Sequence, residues 1–211
     1  MSRPRVGTIL VIGAGGHAKV VIEALRAAGF DPVGLVDSRP DAQALLGVPV
    51  LGGDDVLPRL RATGLDAAAV ALGANQARER AGEGLRALGF RLPAVIHPAA
   101  LVSPSARFGE GVVVMARAVV GTLAEIGALA ILNTGCIVEH DNRIGPCAHI
   151  APGAALAGTV RVGARALVGV GAAARPGVCI GADAVVGAGA AVVGDVPAGA
   201  VVGGVPARPL S

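Results

Sequence analysis

Phe108-Gly109-Glu110-Gly111-Val112-Val113-Val114-Met115-Ala116-Arg117-Ala118-Val119-Val120-Gly121-Thr122-Leu123-Ala124-Glu125-Ile126 carries an apolar residue every six places, and that interval decides the fold. Counting on by six from Phe108 gives Val114, Val120, Ile126, Leu132, Val138, Ile144, Ile150, Leu156, Val162, Val168, Ala174, Ile180, Val186 and Val192. Thirteen of these fifteen are Ile, Leu or Val, where 27 such residues in 90 would place about four or five by chance. Four places after each lead residue runs a second, mostly small register: Ala118, Ala124, Ala130, Ala148, Ala154, Ala166, Ala172, Ala184 and Ala190. Glycine follows the lead at Gly109, Gly127, Gly145, Gly163 and Gly181, eighteen apart, which is three sixes. The physical reading is a triangular prism in which six residues make one short strand and one corner, and three such units close a coil. Lead and small residues point inward, and glycine supplies backbone angles at corners. Five full coils are expected over residues 108–197, with a partial coil begun near Ile96 and Val102. An array of amphipathic helices would need a 3.6-residue period and fewer glycines.

The pattern resembles the hexapeptide repeat of left-handed parallel β-helix acyltransferases. The left hand is implied by that resemblance alone, since spacing carries no handedness and general crossover rules favour the opposite one. Hydropathy alone would flag a membrane span over Ala118 to Val138, where Glu125 is the only charge. The strict six-residue interval rejects it, and no membrane association is expected.

Composition narrows the function classes. Hydrophobic residues make up 53%, charged ones 16% and aromatics 1%, with no Trp or Tyr and 33 Gly. Disorder, which needs low hydrophobicity and high charge, is excluded. Single-stranded nucleic acids need aromatic platforms that this chain lacks. The net charge of +3 comes from 17 Arg and Lys19, scattered without a run that would mark a nucleic-acid footprint. Cys136, Cys147 and Cys179 are odd in number and form no CxxC, so neither a disulfide framework nor a zinc knuckle is suggested. The opening Met1-Ser2-Arg3-Pro4-Arg5 leads into a short apolar run and a glycine cluster rather than a cleavage site. A cytoplasmic, reduced protein is expected.

The front ninety residues read differently. Thr8 to Ile12 is a buried strand, followed by Gly13-Ala14-Gly15-Gly16-His17-Ala18 and a helical pattern through Val20, Val21, Ala24, Leu25 and Ala28 that stops at Gly29. In a strand–turn–helix setting these glycines let backbone approach a ligand, and the helix N-terminus offers N–H groups to phosphate. The plainer alternative is a tight βα turn and nothing more. A second strand, Val33 to Val36, ends at Asp37, where a carboxylate suits a ribose hydroxyl. A third, Ala69 to Leu72, ends at Gly73-Ala74-Asn75, with Asn75 placed to cap the next helix. With the repeat beginning near residue 96 there is room for one mononucleotide-binding half only, which suits a nucleotide or nucleotide sugar better than a dinucleotide.

Four histidines remain. His97 precedes Pro98 between the two halves and reads as structural, while His17 lies in the glycine turn, within reach of phosphate or sugar. His140 follows inward Val138 by two places, at a corner, and should be at least partly exposed. The small register breaks there, at Cys136 and Asn142, and a local exception in a regular pattern marks a place to look for function. Asp141 or Glu139 would orient the imidazole and raise its basicity, making His140 a general base; a surface histidine is the alternative. His149 precedes inward Ile150 and projects from a flat outer face. A zinc site of His140 and His149 across subunits lacks a third ligand nearby and a recognised spacing.

Three stretches together carry a more specific resemblance. These are Ile12-Gly13-Ala14-Gly15-Gly16-His17-Ala18-Lys19-Val20-Val21; Ile131-Leu132-Asn133-Thr134 through Val138-Glu139-His140-Asp141 and His149-Ile150-Ala151-Pro152-Gly153; and Asp195-Val196-Pro197 with Gly204-Val205-Pro206-Ala207. On them the chain is identified as a member of the hexapeptide-repeat sugar acetyltransferases, a family with UDP-4-amino-sugar, GDP-perosamine and sialic acid acetyltransferases among its members. The resemblance covers nearly the whole chain. It implies an α/β half-Rossmann-like nucleotide-sugar-binding domain over 1–95 and an all-β left-handed parallel β-helix over 96–211. It further implies acetyl-CoA as cosubstrate without a metal, and a homotrimer with active sites between subunits. By motif match His140 is the general base and Asp141 the carboxylate behind it, where relatives often carry Glu. His149 would meet the thioester region, with the Val170 and Ala188 backbone along the coenzyme. Gly15, Gly16, His17, Asp37, Ser38 and Gly73 would hold the nucleotide sugar; some relatives have a second acid at the position of Ser38.

The reaction so implied is N-acetylation of a nucleotide-linked amino sugar in bacterial surface-glycan synthesis, by direct attack of the amine on the thioester. O-acetylation of a sialic-acid-type sugar is the runner-up. A zinc hydrolyase and a non-catalytic nucleotide-sugar sensor are readings from other classes.

Overall fold

The computed structural model describes residues 7–210, which divide into two units at Pro98/Ala99. In the first, Gly7–Ile12 (β1) buries Ile9 through Ile12 completely or nearly so, as a central parallel strand must. It pairs in parallel with Phe30–Val36 (β2) on one side and Ala68–Val70 (β4) on the other. Val50–Gly52 (β3) adds outside β2, giving the order β3-β2-β1-β4. Between β1 and β2 runs Gly16–Ala27 (α1), which buries Ala18, Val21, Ile22, Ala24 and Leu25 on one stripe. It ends just before Gly29, whose φ of 92° is open to glycine at little cost. Leu57–Ala62 (α2) precedes β4, and Asn75–Ala87 (α3) follows it.

Two readings of this half shift. The second strand starts at Phe30 rather than Val33, and the third spans Ala68–Val70 rather than Ala69–Leu72. Asn75 does not cap α3: the N-cap is Ala74, and Asn75 is the first helical residue, its Oδ1 accepting a hydrogen bond from the Arg78 guanidinium.

The second unit is the expected prism. One face stacks Arg107–Phe108, Glu125–Ile126, Arg143–Ile144, Arg161–Val162 and Cys179–Ile180, all in parallel register eighteen residues apart. A second runs from Val113–Val114 through Ile131–Leu132, His149–Ile150, Leu167–Val168 and Val185–Val186 to Val201–Gly203. The third carries Leu101–Val102, Val119–Val120, Ile137–Val138, Ala155–Leu156, Ala173–Ala174 and Ala191–Val192. Fourteen of the fifteen lead residues are buried, Phe108 being the half-exposed exception, and every residue of the small register from Val112 to Val196 is buried with them. At about 1.5–3 kcal/mol for each large aliphatic side chain taken from water, these ladders are what close the coil. The apolar stretch from Ala118 to Val138 is four strands and their corners, and no described helix is long and apolar enough to cross a membrane.

The glycines play a different part from the one read in the sequence. Gly109, Gly127, Gly145, Gly163 and Gly181 are absent from the residues at positive φ. A Cβ on any of them would strike backbone of the next coil, as at Gly127, where it would lie 2.6 Å from the Pro146 nitrogen. They are there because the coils approach too closely for a side chain. The left-handed corner falls two places later. Every sixth residue from Gly111 to Gly189 has φ between 55° and 78°, and eight of these fourteen are not glycine. A non-glycine residue there costs about 1–2 kcal/mol. A backbone bond to the coil before offsets it, as in Asp141 N–H to Thr122 O at 2.9 Å and Thr159 N–H to His140 O at 2.9 Å.

Candidate active site

His140 stands on the corner after Ile137–Val138, with 58% of its side chain exposed. Residue 141 is the left-handed member of that corner, at φ 58°, a conformation Asp tolerates better than most. The turn sets the Asp141 carboxylate beside the ring: Nδ1 of His140 lies 2.8 Å from Oδ2 of Asp141. With Nδ1–H so engaged, Nε2 is the ring's acceptor. Of the two acids that the sequence offered, Asp141 reaches the imidazole; Glu139 instead accepts the His140 backbone N–H, at 3.4 Å. The ring lies against Gly158, where a Cβ would come within 2.5 Å of both Cε1 and Nε2.

His149 sits half-buried on the second face, on His149–Ile150. Its Nε2 is 3.0 Å from Nδ2 of Asn133. The Asn133 Oδ1 accepts the Thr134 N–H at 2.8 Å, so its NH2 is the end turned toward the ring and Nε2 accepts. In the sequence Asn133 stands out only as part of a motif; its role in orienting His149 depends on a one-coil offset that linear spacing hides. Val170 and Ala188 fall on successive turns of the corner that follows this face, with Val170 exposed and its carbonyl accepting the Gly189 N–H at 2.8 Å.

In the first unit, Gly13 has φ 104°, and a Cβ on it would lie 2.8 Å from Leu72. Only glycine fits where this loop packs against the turn after β4. Gly15 and Gly16 start α1, with Gly15 as an N-cap that offers no side-chain bond and no acid in the first turn. The space over the Cα atoms of Gly15, Gly16 and Gly73 is open, since a Cβ would meet nothing within 4 Å. Asp37 directly follows β2, with its Oδ2 accepting the Ala14 N–H at 2.6 Å and its carboxylate gripped bidentately by Arg39 at 2.9 Å. The Arg39 bond holds its carboxyl down to about 2. Asp37 thus ties the glycine loop to β2 as well as facing a cavity of about 610 Å³, which Gly13, Ser38, Arg39, Asp54 and Arg80 also line. Arg78, almost fully buried on α3, donates to the carbonyls of Leu72 and Gly73 and so fixes the loop between β4 and α3.

His17 enters α1 behind this loop. Burial, reinforced by the Arg78 charge, pulls its imidazole down to about 4. The neutral ring is therefore the folded form. Its share of stability is intact above about pH 6.5 and is lost as pH falls toward 4, by about 3 kcal/mol in all. Urea midpoints measured from pH 7 to 4.5 should drop more steeply for the native chain than for His17→Gln; parallel slopes would contradict this.

The PglD N-terminal domain family matches residues 8–85. The perosamine N-acetyltransferase of Caulobacter crescentus, solved with CoA and GDP-perosamine, is 51% identical over 98% of both chains, with a TM-score of 0.95. The acetyltransferase domain of PglB from Neisseria gonorrhoeae FA1090, solved with acetyl coenzyme A, is 41% identical over 96% of this chain and 98% of its own, with a TM-score of 0.92. WeeI from Acinetobacter baumannii AYE is 28% identical over 97% and 100%, with a TM-score of 0.84. The chain belongs to the hexapeptide-repeat sugar N-acetyltransferases. This N-acetyltransferase is a half-Rossmann α/β unit followed by a left-handed parallel β-helix. Among its described residues no group of three or more His, Cys, Asp or Glu is placed to hold a metal. Its Cys136 is buried inside the prism, and burial pushes the thiol up to about 12, which removes it as a nucleophile.

Proposed function

We propose that the chain transfers acetyl from acetyl-CoA to the amino group of a nucleotide-linked 4-amino-deoxy sugar, carried on GDP or UDP, for bacterial surface-glycan synthesis. It does so in the cytoplasm as a homotrimer whose active sites lie between neighbouring β-helices. The observation that carries this reading is the His140–Asp141 pair at an exposed corner, in a chain half identical, end to end, to a perosamine N-acetyltransferase.

The chemistry follows from the pair. Attack needs the neutral amine, an ammonium having first lost its extra proton to solvent. Asp141 holds Nδ1–H, so the Nε2 lone pair of His140 takes the amine proton as nitrogen closes on the thioester carbonyl. A carbon–nitrogen bond forms and the carbonyl π pair moves to oxygen. Collapse of that oxyanion breaks the carbon–sulfur bond, and CoA leaves as thiolate, with the proton passing from His140 to thiolate or solvent. No acyl-enzyme is needed, which agrees with a buried, high-pKa Cys136. His149, held by Asn133, lies toward the thioester, and the Val170 and Ala188 corner runs along the coenzyme. Gly15, Gly16 and His17 at the start of α1 receive the diphosphate, where the positive end of the helix dipole and the N-terminal N–H groups favour an anion. Asp37, Ser38 and Gly73 face the nucleoside.

The test is thiol release from acetyl-CoA with GDP- and UDP-linked 4-amino-6-deoxy sugars beside free sialic acid. Turnover of one amino sugar supports the reading. Acetylation of sialic acid alone overturns it.

Gly158 gives a sharper check. A methyl there meets the imidazole, whose exposed ring can swing away, rather than rigid backbone. Gly158→Ala should therefore melt within about 2 °C of the native chain. It should nevertheless lose roughly 10- to 100-fold in kcat, as the ring leaves Asp141. A native kcat would show that the ring position does not matter.

A further inference from the structure

Among the described residues of the second unit, Asn142 is the one buried polar or charged side chain, with no exposed surface at all. Its column, counted by eighteen, holds Ala124, then Asn142, then Val160, Val178 and Val196, every one buried. Packing at this edge is met by valine in three successive coils, so the amide is not there to fill space. It is also not fully satisfied: its Oδ1 finds no hydrogen-bond partner among the described residues. A buried polar atom left unpaired works against stability, and its retention asks for a reason.

The reason lies in what the other end of the amide holds. Nδ2 donates to the Glu139 carbonyl at 2.7 Å and to the Ala157 carbonyl at 3.0 Å. Both partners are acceptors, so the nitrogen assignment is forced. The first carbonyl belongs to the peptide that carries the His140 N–H. The second belongs to the peptide of Gly158, the surface on which the imidazole rests. These two peptides sit in adjacent coils, and one side chain spans them from within.

We propose that Asn142 is a positioning residue for His140: from inside the prism it clamps the peptide bearing the base to the peptide beneath its ring. This rests on the reading of His140 as the general base. The clamp holds the corner in the geometry that keeps Nδ1 on Asp141 and Nε2 pointing outward. Without it, the strand-end peptides retain only their ladder bonds, and the corner can rock.

Asn142→Val, the residue of the three following coils, is the decisive variant, with Asn142→Ala (as at position 124) beside it. Both remove the donor and the orphaned oxygen together. The expected result is a melting temperature equal to or above the native one, with KM for acetyl-CoA and for the amino sugar within about twofold. The kcat should fall about 10- to 100-fold in both variants. In 15N-labelled protein the His140 ring should pass from a single Nδ1–H tautomer to a mixture, a readout that needs no substrate. Native kcat with an unchanged tautomer would overturn the proposal. So would a kcat loss matched by a fall in melting temperature, which would make Asn142 an ordinary core residue. His140→Ala separates the two readings. If it is inactive while Asn142→Val is native, only the clamp fails; if it is active, the base itself is misassigned.

Discussion

His140→Ala is expected to lower kcat by about 10³-fold while leaving KM for either substrate close to native. A loss of that size corresponds to about 4 kcal/mol of transition-state stabilisation. The reasoning is local. The imidazole is largely exposed and makes its side-chain bond to Asp141, so its removal breaks no packing and should not alter folding. What disappears is the acceptor for the amine proton. Raising the pH should then rescue part of the rate, because solvent can deprotonate the amine in advance. Asp141→Asn, which keeps a partner at Nδ1 but removes the charge, should cost less than His140→Ala. Steady-state thiol release measured against pH checks all three statements; a His140→Ala kcat within about tenfold of native would remove the base from the mechanism.

Gly145→Val carries the largest expected effect on stability. Its first side-chain atom would lie 2.6 Å from the Ala164 nitrogen and 2.6 Å from the Gly163 carbonyl carbon, both main-chain atoms of the next coil. They cannot step aside singly, because the coils are tied by the ladder: Arg143 N–H to Val160 O at 3.0 Å and Gly145 N–H to Val162 O at 2.7 Å. Making room means parting two coils and stretching those bonds, a cost of at least about 3 kcal/mol. In a chain of this size that lowers the melting temperature by about 10 °C. Gly153→Ala is the contrast: φ there is 67°, nothing lies within 4 Å of the added methyl, and the cost is only about 1 kcal/mol. Thermal melts followed by circular dichroism would rank the two, and the reverse order would refute the close-approach account.

The two glycine classes show where sequence reading stops. A period of six was legible because the inward registers repeat chemistry, aliphatic then small, and burial enforces both on every coil. The left-handed corners repeat conformation instead, and they accept Arg117, Leu123, Asp141, Cys147 and Thr159 as well as glycine, so composition marks them only in part. Gly127 and Gly153 look identical on paper, yet one is excluded from having a side chain by a neighbour and the other is favoured by its dihedral angle. The site divides in the same way. His140 and Asp141 are adjacent in sequence, so their pairing could be anticipated. Asn133 with His149, and Asn142 with Ala157, join residues about one coil apart, and contacts of that kind appear only once the coils are stacked. In the first unit the glycine loop was plain, but Asp37 was read for a ligand while the fold also uses it to anchor Ala14 and Arg39. Asn75 was read as a cap because it follows a glycine turn; Arg78 takes its side chain instead.

The regular left-handed corner also sets a rule for how the chain tolerates change in length. Because each face recurs after eighteen residues, an insertion of that size adds one storey and returns every later residue to its own face, with the site corners merely spaced further along the axis. An insertion of six would turn the whole C-terminal part by one face and carry the Val170 and Ala188 corner a third of the way around the column. Length in this half of the protein is therefore quantised, and the quantum is a coil.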